Sequence, residues 1–255
     1  MSETVPEIAI SAAGKRFRSG APVLENITLT VDKGEFVSIL GPSGCGKSTL
    51  LRMIAGLTPV SDGTIAVNGM TPVNARELMS FIFQDATLLP WRTVERNVGL
   101  GLELEWSTRA VRAQKVNEML AVVGLSAVAK LYPRQLSGGM KMRVSIARAL
   151  ATRPRILLMD EPFAALDEMT RDRMNDELLR LQREHGWTII FVTHSVTEAV
   201  FLSSRVVVLA PHPGRIHEVV TVQLEGARTA DTRASEEFED EVSRVSRILR
   251  GVLGA

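Results

Sequence analysis

The chain has 255 residues, of which 45% are hydrophobic and 23% charged, and its formal net charge is +1. This composition is typical of a soluble globular protein, and the near-neutral charge argues against a surface for nucleic acid or anionic membranes. The single cysteine excludes an internal disulfide, and the four scattered histidines give no zinc-site spacing. No apolar stretch approaches the roughly 18 to 20 residues that span a bilayer, and residues 1–7 are not expected to be a secretory signal.

Short apolar segments predict that the first third of the chain is rich in β-strands. Strands are expected at residues 8–10, 27–31, 36–40, 62–69 and 79–84. The pattern then becomes helical between residues 93 and 131. One face of this helical region is expected to carry Val111, Lys115, Val116, Met119, Leu120 and Val123.

The second half of the chain alternates between predicted helices and strands. One helix is expected to start after Gly138-Gly139 and to run through Leu150, and two more are expected at 169–184 and 196–202. Apolar strands are expected at 156–159, 188–192 and 206–209. Unbroken apolar strands that alternate with helices predict an α/β fold with a mostly parallel, doubly covered sheet. Residues 231–250 are expected to form an amphipathic surface helix that closes the fold, with a partner contact as the alternative.

Residues 41–49 form a complete G-x-x-x-x-G-K-[ST] motif between a predicted strand and a predicted helix. Glycines and a helix N-terminus direct backbone N–H groups at a phosphate, so the motif predicts ATP binding. Lys47 is expected to reach the β and γ phosphates, and Ser48 to hold Mg²⁺. The predicted ATP-binding residues of the loop are Gly41, Pro42, Ser43, Gly44, Cys45, Gly46, Lys47, Ser48 and Thr49.

Cys45 lies inside this loop, close to Lys47 and to the start of the predicted helix. Such a setting is expected to lower the pKa of a thiol and to make it reactive. The alternative is that cysteine serves there as a small residue that fills space.

A second motif is the apolar strand 156–159 followed by Asp160 and Glu161. An aspartate at the end of such a strand is the expected support for Mg²⁺ in a phosphate-loop ATPase. Glu161 is expected to polarise or deprotonate the water that attacks the γ phosphate. The alternative is an acidic pair that caps a turn.

A third motif is Ser137-Gly138-Gly139, which directly precedes a predicted helix. Ser137 is a favourable N-cap residue, and the glycines expose N–H groups at the positive end of the helix. Taken alone, this motif indicates only a loop followed by a helix N-cap. Together with the two other motifs, it resembles the signature of the ATP-binding cassette (ABC) family. The resemblance covers about residues 7–225.

The resemblance implies roles for four further residues. Phe17 matches the aromatic residue that stacks on adenine, with a core position as the alternative. Gln84 matches the Q-loop glutamine, which meets Mg²⁺ or the attacking water, and a structural bond is the alternative. His194 matches the switch histidine that contacts the γ phosphate. Asp167 matches the D-loop aspartate that couples two nucleotide sites, a role compatible with a plain helix N-cap.

The family resemblance also implies a fold and a complete site. The implied fold is a RecA-like P-loop NTPase core with an N-terminal antiparallel β subdomain, an inserted helical subdomain at about 86–152 and a helical tail at 226–255. Two copies would pair head to tail. The implied catalytic residues are Glu161, His194, Gln84 and Lys47. The implied Mg²⁺ ligands are Ser48, Gln84 and Asp160. The residues that would act in trans, on ATP bound by the other copy, are Ser137, Gly138, Gly139 and Asp167.

The apolar segment at about residues 85–98 is similar to that of ATPases in bacterial importers for nitrate, alkanesulfonates and taurine. In such importers this region receives two integral-membrane permease subunits at the cytoplasmic face, and a periplasmic solute-binding protein acts through them. Packing within the chain's own helical subdomain is the alternative for this segment. A non-transport ABC ATPase in repair, translation or iron–sulfur assembly is the alternative function.

Overall fold

The computed structural model describes residues 5–17, 20–104, 108–224 and 226–253. The strands are β1 (Ile8–Arg16), β2 (Pro22–Val31), β3 (Phe36–Leu40), β4 (Asp62–Val67), β5 (Met79–Ile82), β6 (Ile156–Asp160), β7 (Thr188–Thr193), β8 (Arg205–Ala210) and β9 (Arg215–Thr221). The α-helices are α1 (Lys47–Ile54), α2 (Val94–Val98), α3 (Arg109–Val122), α4 (Gly138–Ala151), α5 (Glu168–His185), α6 (Val196–Leu202) and α7 (Glu236–Leu253).

The larger sheet has the strand order β5-β6-β7-β3-β8-β9. Its strands are parallel except for β9, which pairs antiparallel with β8. Every residue of β3, β6 and β7 is buried, as expected for parallel strands covered on both faces. The carboxyl ends of these three neighbouring strands therefore meet at one edge, where such sheets bind ligands.

The smaller sheet is antiparallel, with the order β2-β1-β4. Apolar residues of both sheets and of α1 form one continuous core, to which α1 contributes Leu50, Leu51, Met53 and Ile54. A second core covers the opposite face of the larger sheet and joins it to α4, α5, α6 and the helical region. The helix that follows the phosphate loop is thus held between two layers.

The helical region differs from the expected single pattern. It is divided into α2, a short 3₁₀ turn at Gly101–Leu104 and α3, and the buried residues of α3 are Val116, Met119 and Leu120. Val111 was expected on this face but is exposed, and it lies in the first turn of α3. Strand β9 was not predicted, since only one of its seven residues is buried.

Helix α7 packs on the fold through the apolar face that its pattern predicts. Phe238 and Val245 are buried, and the ring of Phe238 meets the edge of Phe201 on α6 at a centroid distance of 6.2 Å. None of the helices in the described ranges is both long and apolar enough to cross a bilayer.

Candidate functional site

Residues 41–46 connect the end of β3 to the start of α1, and the last three motif residues, 47–49, lie in the first turn of that helix. Gly46 has a φ of 97°, and a Cβ added there would lie 2.6 Å from Leu24 Cδ2. Only glycine satisfies both the left-handed backbone and this close approach. The loop residues predicted from the motif therefore form a tight turn at the N-terminus of α1, where unpaired N–H groups favour an anion.

Lys47 is held within this turn and is only 6% exposed. Its Nζ donates hydrogen bonds to the carbonyl oxygens of Gly41 at 2.8 Å and Pro42 at 2.9 Å. A buried ammonium needs such partners because burial without them is costly. The loop thus orients a positive charge at the position where the motif predicts phosphates.

Ser48 and Asp160 are brought together from α1 and β6. Ser48 Oγ donates a hydrogen bond of 2.8 Å to Asp160 Oδ1. Burial raises the pKa of Asp160, while the hydrogen bond from Ser48 and the charge of Arg52 act in the opposite direction. Hydroxyl and carboxylate oxygens are the donors that Mg²⁺ prefers, and a cation would offset the desolvated charge, so the pair fits the predicted metal site.

Glu161 and His194 follow the adjacent parallel strands β6 and β7. The distance from Glu161 Oε2 to His194 Nδ1 is 3.1 Å, and the Glu161 N–H donates to the Val192 carbonyl at 3.0 Å. Glu161 has a φ of 47°, a conformation that is uncommon for a residue with a side chain and that clusters at functional sites. The strained backbone directs the carboxylate toward the histidine.

Cys45 departs from the sequence prediction. Its side chain is buried, and burial raises the pKa of the thiol although the charge of Lys47 opposes this change. The expectation of a lowered pKa is therefore wrong, because desolvation outweighs the nearby positive charge. The alternative of a small residue that fills space agrees with the burial.

The turn at residues 137–139 lies at the start of α4. Ser137 Oγ accepts a hydrogen bond of 3.2 Å from the Met140 N–H, so Ser137 is the N-cap of α4. Ser137 and Gly138 are exposed, and a Cβ on Gly138 would meet no atom within 4 Å. A Cβ on Gly139 would lie 3.2 Å from Leu166 Cδ2, which places this turn beside the residue before Asp167.

Asp167 is exposed and is the N-cap of α5. Its Oδ1 accepts a hydrogen bond of 2.9 Å from the Thr170 N–H. Hydrogen bonds from Thr170 lower the pKa of the Asp167 carboxyl. The four residues expected to act in trans therefore lie at the starts of two neighbouring helices.

Phe17 and Gln84 are both accessible. Phe17 is 52% exposed, which excludes the alternative of a core position, and the Nζ of Lys15 lies 4.9 Å from its ring centroid. Gln84 is exposed two residues after β5 ends. Each has a side chain that a ligand or partner can reach.

The segment at residues 85–98 is partly packed and partly exposed. Asn97 is buried and holds the segment: its Oδ1 accepts from the Leu89 N–H at 2.8 Å, and its Nδ2 donates to the carbonyls of Leu89, Arg92 and Thr93. Leu88 packs against the core, whereas Trp91 is 71% exposed. Intrachain packing therefore accounts for Leu88 but not for Trp91.

Sequence reasoning missed two polar contacts near the site. Arg148 of α4 donates to the carbonyls of Ala86 and Thr87, and so ties the segment after Gln84 to the helix that Ser137 caps. Arg171 and Glu198 form an ion pair between α5 and α6. Each contact joins residues that are distant in sequence, and a single sequence gives no signal for such pairs.

The chain matches the family model described as ABC transporter over residues 24–164. It is 46% identical over 220 residues to the aliphatic sulfonates import ATP-binding protein of Bacillus licheniformis, an alignment that covers 85% of each chain. It is 47% identical over 199 residues to the taurine import ATP-binding protein of Escherichia coli O157:H7, with 78% of each chain covered. It is 43% identical over 240 residues to the nitrate import ATP-binding protein of Synechocystis, covering 92% of this chain and 90% of the relative.

Solved structures agree with this assignment. A dimeric ATP-binding cassette in a post-hydrolysis state, bound to ADP and Pi, superimposes with a TM-score of 0.79 at 32% identity, covering 86% of this chain and 100% of that one. The predicted P-loop NTPase fold and the family resemblance are therefore confirmed. The chain belongs to the ABC transporter family and is an ATP-binding subunit that hydrolyses ATP.

Proposed function

We propose that this chain powers a bacterial importer of a small solute such as nitrate, an alkanesulfonate or taurine. The observation that carries the proposal is that Lys47, the Ser48–Asp160 pair and the Glu161–His194 pair meet at the carboxyl edge of three adjacent parallel strands. The identity to importer ATP-binding proteins supports the direction of transport and the class of solute.

The residues of the strand edge suggest how ATP is held. Lys47 exchanges its carbonyl contacts for the β and γ phosphate oxygens, and the N–H groups of residues 41–49 surround the same phosphates. Phe17 stacks on the adenine ring. Ser48, Asp160 and Gln84 would hold Mg²⁺, which neutralises charge on the phosphates when it is bound.

Hydrolysis requires a base in line with the γ phosphate. Glu161 accepts a proton from a water molecule as the water oxygen forms a bond to the γ phosphorus. The bond between that phosphorus and the β–γ bridging oxygen breaks, which gives ADP and phosphate. His194 orients the carboxylate and contacts the γ phosphate, a role that its 3.1 Å contact with Glu161 supports.

The second half of the site would come from another copy of the chain. Ser137, Gly138 and Gly139 of one copy cover the γ phosphate bound by the other, and Asp167 contacts the opposing site. Their exposure at helix starts supports this arrangement, as does the dimeric state of the cassette that superimposes. ATP then stabilises the closed dimer, and hydrolysis releases it.

Transport requires coupling to membrane subunits. The segment at 85–98, with its exposed Trp91, is the proposed docking site for two permease subunits at the cytoplasmic face of the membrane. A periplasmic solute-binding protein would act on this complex through the permeases.

Reconstitution tests the function. The chain is combined in nanodiscs with candidate permease subunits, and ATP hydrolysis is measured with a solute-binding protein and nitrate, taurine or ethanesulfonate. We expect one solute to stimulate hydrolysis, and Trp91→Ala to remove the stimulation without changing ATP binding. Failure of the chain to associate with any permease would favour a non-transport ATPase.

A further inference from the structure

An ion pair between Arg171, whose side chain is 33% exposed, and the buried Glu198 lies between the segment that carries Asp167 and the segment that carries His194. Arg171 Nη2 donates a hydrogen bond of 2.8 Å to the carbonyl of Leu166, the residue before Asp167. The Nε of the same guanidinium lies 3.6 Å from Glu198 Oε1. Arg171 therefore contacts the backbone next to Asp167 with one nitrogen and Glu198 with another.

Glu198 is 7% exposed and connects the ion pair to the two residues that flank His194. Its Oε2 accepts a hydrogen bond of 2.5 Å from Thr193 Oγ1, and that hydroxyl accepts the Ser195 N–H at 3.0 Å. Ser195 Oγ in turn accepts the Glu198 N–H at 3.3 Å. Glu198 therefore holds Thr193 through its carboxylate and Ser195 through its backbone N–H, so both residues beside His194 are bonded to it.

Two properties of the ion pair suit a contact that joins two segments while allowing them to move relative to each other. Arg171 Nε and Glu198 Oε1 are buried without a hydrogen-bond partner among the described residues, although they are at ion-pair distance. The two segments can therefore shift relative to each other without breaking a hydrogen bond between these atoms. Leaving the buried Glu198 carboxylate without its partner would be unfavourable, so the two side chains are expected to move together.

We propose that Arg171 and Glu198 are positioning residues that transmit the position of Asp167 to His194. The inference rests on the proposed roles of Asp167 and His194 in the ATP site. Contact of a second copy with the exposed Asp167 moves the Leu166 carbonyl, and Arg171 passes this movement to Glu198. Thr193 and Ser195 then adjust His194, whose Nδ1 lies 3.1 Å from Glu161.

The test uses Arg171→Met, which keeps the length of the side chain, and Glu198→Gln, which keeps an acceptor for Thr193. We expect kcat to fall by at least about five-fold in each, the lower end of typical coupling effects. The Kd for ATP, measured by calorimetry, should be unchanged because neither residue belongs to the phosphate loop. Arg180→Met is the matched control, since Arg180 forms exposed ion pairs on the same helix.

A double-mutant cycle separates coupling from simple destabilisation. Asp167→Ala should lower kcat in the wild-type background and should have no further effect when combined with Arg171→Met. Multiplicative losses in the double variant would overturn the proposal. If Arg171→Met does not fold, Arg171→Lys replaces it; lysine keeps the charge but lacks the planar fork that reaches both partners, so kcat should again fall.

The proposed function and this inference fail in different ways. If His194→Ala leaves kcat unchanged, the assignment of the ATP site is wrong. If His194→Ala is inactive but Arg171→Met and Glu198→Gln hydrolyse ATP at the wild-type rate, only the coupling is wrong. Thermal unfolding of each variant shows whether a lost rate reflects a lost fold.

Discussion

The loop at residues 41–49 and the turn at residues 137–139 are both helix starts that we propose contact phosphate, but they differ in burial: Lys47 is buried and Ser137 is exposed. Lys47 is enclosed and bonded to two carbonyls of its own loop, and the helix behind it lies between two sheets. Ser137 and Gly138 are exposed, and the turn is organised by the N-cap bond of the Ser137 side chain and by the bond from the Lys141 N–H to the Ser137 carbonyl. The phosphate-binding groups are thus held in place in the loop at residues 41–49, whereas those of the turn at residues 137–139 stay exposed to solvent.

This difference indicates which functions each half can perform alone. A loop whose lysine is already buried and held by hydrogen bonds loses little conformational freedom when it binds phosphate, so a single chain should bind ATP. An exposed helix start surrounded by solvent binds an anion weakly, because water competes for its N–H groups and screens its dipole. The second half should therefore act only when a partner surface excludes water.

The largest expected effect comes from Glu161→Gln. Removal of a general base typically lowers a rate by about 10²- to 10⁴-fold, whereas the loop that binds ATP is untouched. Phosphate release should be lost, and light scattering should detect a dimer that persists with ATP. Turnover at the wild-type rate would show that Glu161 is not the base.

Lys47→Ala tests the enclosed half. Hydrogen bonds to charged groups contribute about 1.5–3 kcal/mol, so the Kd for ATP should rise by about 10- to 100-fold. Calorimetry measures the change, and Lys33→Ala, at an exposed lysine, should leave the Kd unchanged. Equal affinities for ATP in the two variants would contradict the inference that the buried lysine of the loop binds the nucleotide.

Ser137→Ala tests the exposed half. ATP binding to the single chain should be unchanged, but dimer formation with ATP should weaken by about 1.5–3 kcal/mol, the value of a hydrogen bond to a charged phosphate. Sedimentation at several concentrations measures this effect. Thr108→Ala is the control because it removes the N-cap of α3. Loss of either N-cap should lower the free energy of unfolding by about 1 kcal/mol, but Thr108→Ala should leave dimerisation unchanged.

Asp160→Asn is expected to change how the stability of the fold depends on pH when divalent cations are absent. Burial raises the pKa of Asp160 in the folded state, so its contribution to stability is present below the pKa of the unfolded chain. That contribution is lost as pH rises through the folded-state pKa. The variant should therefore unfold at a higher temperature than wild type at neutral pH, and the difference should shrink on acidification. Asp85→Asn, at an exposed position, is the control.

The smallest effect concerns Cys45. Because its thiol is buried and its pKa is raised, alkylation of the folded chain should be slow and should become fast in denaturant. Mass spectrometry over time measures both rates. Rapid labelling of the folded chain would show that the loop opens readily.

The sequence predicts elements well where burial leaves a strong pattern. The fully apolar strands β3, β6 and β7 and the motif residues that follow them are recognisable without coordinates. Strand β9 is not, because most of its residues face solvent and it forms by pairing with β8. The thiol of Cys45 was misjudged because the neighbours of a residue in sequence do not reveal its burial.

The Arg171–Glu198 pair illustrates a further limit of sequence reasoning. The two residues lie on different helices, and each alone is compatible with an ordinary solvated helix face. Their significance depends on the packing of α5 against α6, which brings opposite charges together beside two loops. Tertiary contacts between polar residues therefore have to be observed.

The left-handed backbone at Glu161 has a consequence for how this chain evolves. A side chain in that conformation typically costs about 1–3 kcal/mol, which glycine would recover. Selection for turnover and selection for stability therefore act in opposite directions at this one residue. A descendant that only had to bind nucleotide would drift toward glycine here, and loss of the carboxylate would mark a change from ATPase to passive ATP binder.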